Sequence, residues 1–502
     1  MTTYDADGIT LEKVRDYVWE IPQEGGMNAP ARVLASEALL EEIQEDETLQ
    51  QLKNSAHLPG VRKHAICMPD GHQGYGFPVG GVAGIDAENG CISPGAVGYD
   101  INCGVRMMRT NLTYDDVQGK EEELVTNLFE NVPSGLGGGG VVETDMDTIE
   151  AILERGMDWA LEAGWAIEDD LAHCEDEGYR PEANADRVSK KAKDRGKNQV
   201  GSLGSGNHFL EVQRVTDVFR EDVGEAFGLE EDQIVVLIHC GSRGLGHQVC
   251  TDYLREIEQA HQGLLNQLPD KELAAAPAGS QLAEDYYEAM CAAINFAWVN
   301  RQLIMHRTRQ VFARVFDRDW EEMDMHLLYD VAHNIAKKEL HEVEGSEASE
   351  TPLAAGEAGD GEERELFVHR KGATRAFPAG RPEVPAAYAD VGQPIIIPGS
   401  MGAGSYVLRG GEQSLAETFG STAHGAGRLM SRTQAKQEYW GEDVMDDLRD
   451  QNEIYVKAQS GATVAEEAPG VYKDVDEVVR VSDALGIGDK VARTYPVCNI
   501  KG

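Results

Sequence analysis

The sequence predicts an α+β chain in which mixed sheets surround one central, buried metal site. Three observations carry this expectation. Six stretches each hold a histidine, cysteine or acid, most of them inside a glycine frame: MPDGHQGYGFPVGG (68–81), GAVGYDINCGVR (95–106), GSGNHFLEV (204–212), IHCGSRGLGHQ (238–248), YDVAHNIAK (329–337) and STAHGAGR (421–428). Glycine permits positive φ and lets backbone come close to an ion or phosphate. IVVLIH (234–239) reads as a buried strand ending on a histidine. Strands and helices alternate irregularly, which fits one unit built around a single site better than tandem domains.

Residues 34–52 carry apolar positions at helical spacing with acids opposite. Short buried strands are expected at 63–68 and 79–85, flanking the first motif. Val105–Leu112 is a further strand, followed by a helix near Asp115–Asn131. Asp147–Ala163 is amphipathic and reads as a helix. Residues 180–197 (RPEANADRVSKKAKDRGK) form the most basic stretch, either plain solvated surface or a patch for a phosphate backbone. Ala283–Val315 has a long helical pattern that one or two helices satisfy. Residues 344–365 are acidic and rich in Gly, Ala and Ser, an expected solvated insert without chemistry. QPIIIP (393–398) is a strand entering the turn Gly399–Gly404, and Asp476–Leu485 is the last expected helix. Because the insert interrupts the motif series, residues 1–502 are read as one catalytic unit.

Composition bounds the class. At 502 residues with 41% hydrophobic residues the chain can bury a large core. No apolar run approaches the roughly 20 residues of a membrane helix. The start MTTYDADGITLEKVRDY lacks the pattern of a signal peptide. Eight dispersed cysteines without a CxxC pair do not make a disulfide framework. A reducing cytoplasm is therefore expected, with no membrane partner. The 88 acidic residues exceed 45 basic ones, for a formal net charge of -43. Acids spread along the whole chain suggest a halophilic protein, working where molar salt shortens the Debye length to about 3 Å. Such a surface repels nucleic acid in dilute salt, so an RNA substrate would need a local basic pocket, metals and end-specific contacts.

The motif residues suggest chemistry at phosphorus. Asp100 and Cys103, three apart in a glycine-rich turn, can converge on one ion. His208, His239 and His333 would complete a mixed N/O/S site broad enough for two divalent ions, suited to in-line displacement. Taken singly, each residue also fits a satisfied core position. Cys240 and His247 read as packing or as support behind the ligands of that site. His424 sits among small residues, and an accessible histidine can act as a nucleophile toward phosphorus. Arg428 and Arg432, at i+4 and i+8, would share its helix face and neutralise phosphate charge; a capped helix N-terminus explains the same string. PGSMGAGSY (398–406) can present amides to an anion, although no GxxxxGK[ST] motif occurs. Neither a Lys-x-Asp-Gly segment nor an aromatic RNP motif is present.

Together and in this order, the six motifs resemble the RtcB family of GTP-dependent RNA ligases, the tRNA-splicing ligases, from about Met68 to Lys501-Gly502. The resemblance implies two Mn2+ ions held by Asp100, Cys103, His208, His239 and His333, with the cysteine bridging. It implies guanylylation of His424 by GTP, with Asp70 beside the active site. Asn207 would contact the nucleotide phosphate, and Glu211, Ser405, Tyr472 and Lys501 the guanine, with Arg428 in the same nucleotide site. The implied reaction joins RNA 2′,3′-cyclic phosphate or 3′-phosphate ends to 5′-hydroxyl ends, in tRNA splicing and RNA repair. The implied partners are RNA (tRNA exon halves) and an archease-like activator, and the chain is expected to be a monomer. Gly71 and the length of the acidic insert depart from the family pattern without touching an implied ligand. The alternatives are a Mn-dependent cyclic phosphodiesterase that uses no nucleotide and a non-catalytic RNA-binding factor.

Overall fold

The computed structural model describes residues 3–6, 8–135, 139–343 and 362–502. Two eight-stranded mixed sheets dominate it. The first is ordered Thr3–Ala6, Ile9–Arg15, Val18–Ile21, Ala31–Leu34, Val61–Tyr75, Phe77–Asp86, Glu362–Lys371, Asn334–Val343. The second runs His326–Ala332, Gly104–Thr113, Gln233–Cys240, Phe209–Val218, Gly488–Lys501, Ser405–Gly410, Pro394–Ile397, with Tyr455–Ala458 pairing onto Gly488–Lys501. Pairing is antiparallel except at Ala31–Leu34 with Val61–Tyr75 and at Tyr455–Ala458 with Gly488–Lys501. The expected α+β class with mixed sheets is what the chain adopts.

A single helix, Gln281–Phe316, runs behind the second sheet for 36 residues. Its sequence has neither Gly nor Pro, so nothing breaks it into the two helices that its length allowed. Ser280 caps its start by accepting from Ala283 N, and Asp317 ends it in the left-handed region at φ 50. Its middle is buried all round, including Trp298, Phe296 and Ile304, and it anchors the largest apolar cluster.

Several expectations shift. The helix expected at Asp147–Ala163 is two, Met146–Arg155 and Met157–Glu162, divided where Gly156 takes φ 51. Residues 34–52 likewise hold two short helices, Glu37–Ile43 and the start of Thr48–Ser55. The first motif does not lie between short strands. It lies inside them, on the long strand Val61–Tyr75 and its hairpin partner. Residues 344–361 of the acidic stretch lie outside the described residues, while 362–365 open the strand Glu362–Lys371. No described helix is long and apolar enough to cross a membrane. All eight cysteines are free and buried.

Candidate active site and metal centre

Strand register gathers the second-sheet residues at one end. Gly104 pairs with both Ala332 and Cys240, which sets Cys103, His333 and His239 side by side. His239 pairs with Phe209, bringing in His208. On the far side of that strand Phe209 pairs with Lys501 and Glu211 with Asn499. Thus Cys103, His208, His239 and His333, four of the predicted metal ligands, come together with the predicted guanine contacts Glu211 and Lys501 at one end of neighbouring strands.

The ligand atoms form two groups that share one thiol. Cys103, His239 and His333 form one; Asp100, Cys103 and His208 form the other, with the donor atoms in each within 4.8 Å of one another. Cys103 Sγ lies 3.2 Å from His239 Nε2 and 3.5 Å from His208 Nε2. His239 Nε2 and His333 Nε2 are 3.3 Å apart, and His208 Nε2 is 2.7 Å from Asp100 Oδ2. Asp100 Oδ1 is buried with no hydrogen-bond partner. A Cβ on Gly241 would collide with the Asp100 carboxylate and push it from its place. Burial, then Asp100, pushes the Cys103 thiol up to about 12, so it ionises only against a cation. Burial holds His239 and His333 below the usual histidine range, in the neutral ligand form. A convergent S/N/O donor set with an orphaned carboxylate oxygen fits divalent transition-metal ions.

The first sheet supplies the partner of the metal centre. Asp70, on Val61–Tyr75, is fully buried, and its Oδ2 accepts from His424 N at 3.0 Å, Gly425 N at 3.2 Å and His424 Nδ1 at 2.6 Å. Burial pushes the Asp70 carboxyl up, but His424 more than reverses this and holds it below the usual carboxylate range. His424 follows the strand Ser421–Ala423, and its ring lies 4.8 Å from that of His333 between centroids.

The helix face expected for His424, Arg428 and Arg432 is absent. Residues 424–431 are irregular, and a helix begins only at Arg432. Gly427, at φ 78, packs so closely on the Asp70 carbonyl that a Cβ would clash, and this turn replaces the helix. Both arginines still line the cavity. They reach Glu467 at 3.1 Å from Arg428 and 3.4 Å from Arg432.

All the predicted site residues except Asp70, His208 and Ser405 line one cavity of about 270 Å³. Asn207 Oδ1 accepts from Arg432 at 3.3 Å. Glu211 accepts from Gln213 Nε2 and Asn499 Nδ2, and burial raises its carboxyl to about 7. Ser405 Oγ, just behind the wall, accepts from Gln213 Nε2 at 3.1 Å and Gly399 N at 3.3 Å. Tyr472 donates to Glu467 and lies under the Arg428 guanidinium, 5.3 Å from the ring centroid. Lys501 Nζ is 4.0 Å from Glu467 and 5.2 Å from the Phe209 ring centroid.

Sequence reading missed some lining residues. His72 sits in the first motif, Lys371 in RKGATR, and Glu467 in AEEAPG, where it reads as one more solvated acid. Cys240 is placed as expected, buried with Sγ 3.8 Å from His208 Nδ1; His247 is exposed, its ring stacked on Tyr99 beside Asp100.

Comparison with known proteins adds an independent finding. Residues 51–502 match the family model described as tRNA-splicing ligase RtcB. A tRNA-splicing ligase RtcB of Thermococcus kodakarensis is 53% identical over 495 residues, covering 98% of this chain and 99% of that protein. The relatives from Aeropyrum pernix and Nanoarchaeum equitans, with the same name, are 49% and 47% identical and are each covered in full, against 98% of this chain. With the match running through every motif that forms the cavity, the chain belongs to the RtcB family of tRNA-splicing ligases.

Proposed function

We propose that this chain is an RNA ligase of tRNA splicing and RNA repair that uses GTP and Mn2+ to join RNA 2′,3′-cyclic phosphate or 3′-phosphate ends to 5′-hydroxyl ends. One observation carries the reading: a histidine oriented by a buried carboxylate stands beside two ligand groups that share a thiol. Asp100, Cys103, His208, His239 and His333 would hold two Mn2+ ions. When bound, these ions would supply charge stabilisation for phosphoryl displacement.

The protein's own groups do the rest. An ionised Asp70 can only accept, so His424 carries its proton on Nδ1 and its lone pair on Nε2. Nε2 attacks the α-phosphorus of GTP, the bond to the β-phosphate oxygen breaks, and pyrophosphate leaves. Arg428 and Arg432 neutralise charge on the transferring group, and Asn207 contacts the phosphate. Glu211, Ser405, Tyr472 and Lys501 hold the guanine, the Glu211 carboxylate accepting from its ring and exocyclic N–H groups. GMP then passes to an RNA 3′-phosphate, and attack by the 5′-hydroxyl releases it. A cyclic phosphate end must first be opened by water.

The whole chain acts as one catalytic unit, a cytoplasmic monomer assisted by an archease-like activator, in a high-salt interior. Joining of two defined RNA halves, with and without GTP, Mn2+ and molar KCl, tests the reading. Sealed RNA that needs both GTP and Mn2+ supports it. Opening of the cyclic phosphate without GTP and without sealing would instead mark a phosphodiesterase.

A further inference from the structure

Tyr99, beside Asp100, is half-buried and lines the cavity. His247 stacks on it, with ring centroids 4.9 Å apart and planes 26° apart. Tyr75 meets the same ring edge-on at 5.4 Å. Three rings from separate segments therefore make a step that starts at the cavity wall. Its outer member, His247, is exposed on the helix Arg243–Ala260. Core packing does not account for a ring that stacks on a cavity residue yet stays exposed.

Charge singles out the same place. The helix Lys190–Gly196 packs on Arg243–Ala260, and Arg195 donates to Gln248 Oε1 at 3.1 Å, next to His247. Lys191 lies one turn before Arg195 on the same face. Lys193 and Lys197 pair with Glu150 and Asp194. Lys190, Lys191 and Arg195 are exposed and, among the described residues, form no ion pair. In a chain with 88 acids and 45 bases, cations left unpaired beside an exposed ring point to an anion from outside. A flat π-face next to cations matches single-stranded nucleic acid, whose bases stack while its phosphates pair.

We propose that His247, stacked on Tyr99, is a base-stacking platform for the RNA strand entering the cavity, with Lys191 and Arg195 taking the adjacent phosphates. This rests on the ligase reading above and adds where the strand lies. Of the two readings of the basic stretch 180–197, it takes the phosphate-binding one, for Lys191 and Arg195 alone.

The test uses the full chain with Mn2+ and RNA halves carrying 2-aminopurine within the last three nucleotides. Wild type is expected to quench the fluorescence on binding, His247→Ala to lose the quench, and His247→Phe to keep it. His247→Ala should raise the RNA concentration for half-maximal joining roughly tenfold, with guanylylation by GTP unchanged. Arg195→Gln should lower the slope of log affinity against log salt by about one. Unchanged quenching and RNA dependence in His247→Ala would overturn the platform. Quenching does not require sealing. A wild-type chain that quenches through His247 but joins nothing would keep the platform and refute the ligase reading.

Discussion

Asp70 Oδ2 and His424 Nδ1 lie 2.6 Å apart although 354 positions separate them in sequence. The same oxygen also takes the amides of His424 and Gly425, so one buried carboxylate sets the histidine's backbone, ring and tautomer together. His424→Ala is expected to abolish label transfer from α-labelled GTP. Asp70→Asn keeps the shape but can present an N–H to Nδ1, and should slow transfer roughly a hundredfold or more. Single-turnover labelling checks both, and bound Mn2+ should be unchanged in each. Equal rates for Asp70→Asn and wild type would remove the orienting role.

Cys103 belongs to both ligand groups, so its loss should disturb both positions. Cobalt-loaded wild type is expected to show a thiolate-to-metal charge-transfer band. Cys103→Ser should lack that band and bind Mn2+ at least tenfold more weakly, as read by an equilibrium titration. An undiminished band would mean the thiol is not a ligand.

The Glu211 carboxyl, raised by burial to about 7 against an ordinary 4.5, links stability to pH. The buried form prefers its proton. The contribution is therefore fully present below pH 4.5 and is lost as pH rises through 7, on the order of 3 kcal/mol in total. Glu211→Gln should flatten that dependence and unfold at higher urea than wild type at pH 8. Asn499 Oδ1 has no partner, so its amide can turn to accept from the new side chain. The same variant should lose guanylylation at low GTP, because the carboxylate that would accept from guanine is gone. A pH-stability profile identical to wild type would contradict the assignment.

Arg301, fully buried in the long helix, ties together the segments that carry the candidate metal ligands. It donates to Asp330 at 2.7 and 2.8 Å, to Asn102 O at 2.7 Å, and to Cys240 O at 2.8 Å. Asn102 adjoins Cys103, Cys240 adjoins His239, and Asp330 lies on the strand His326–Ala332 that ends just before His333. Arg301→Met should cost about 3–5 kcal/mol in urea unfolding, the usual effect of stripping one partner from a buried ion pair. Mn2+ affinity should fall with it. Full stability with normal Mn2+ binding would leave the residue without this role.

The candidate metal-ligand cluster was readable in the sequence because its residue types are chemically rare and sit where strands end. Cys103, His239 and His333 each stand at or beside a strand terminus, so local pattern and chemistry agree. The tilt of His424 was not readable. Arginines at i+4 and i+8 imitate a helix face, and only the contact between Gly427 and Asp70 rules the helix out. The strand Gly488–Lys501 went unseen because Pro496 interrupts it; the structure absorbs that proline at a register shift beside Phe209–Val218. Four N-terminal strands of four to seven residues were too short to stand out from their acidic surroundings. Glu467 is marked only by the three cations that return to it from distant segments.

The net charge of -43 predicts a salt requirement. Self-repulsion should be screened at molar KCl, where the Debye length is about 3 Å. The unfolding midpoint is expected to rise steadily from dilute buffer to molar KCl, measured by circular dichroism. An equal midpoint in both would contradict a halophilic surface.

The most direct measurement maps the protein-bound nucleotide. The chain is incubated with labelled GTP and Mn2+, digested under alkaline conditions, and its peptides are sequenced by mass spectrometry. A single acid-labile GMP adduct on His424 is expected, discharged when an RNA 3′-phosphate is added. Sealed RNA with no adduct, or with an adduct on any other residue, would contradict this expectation.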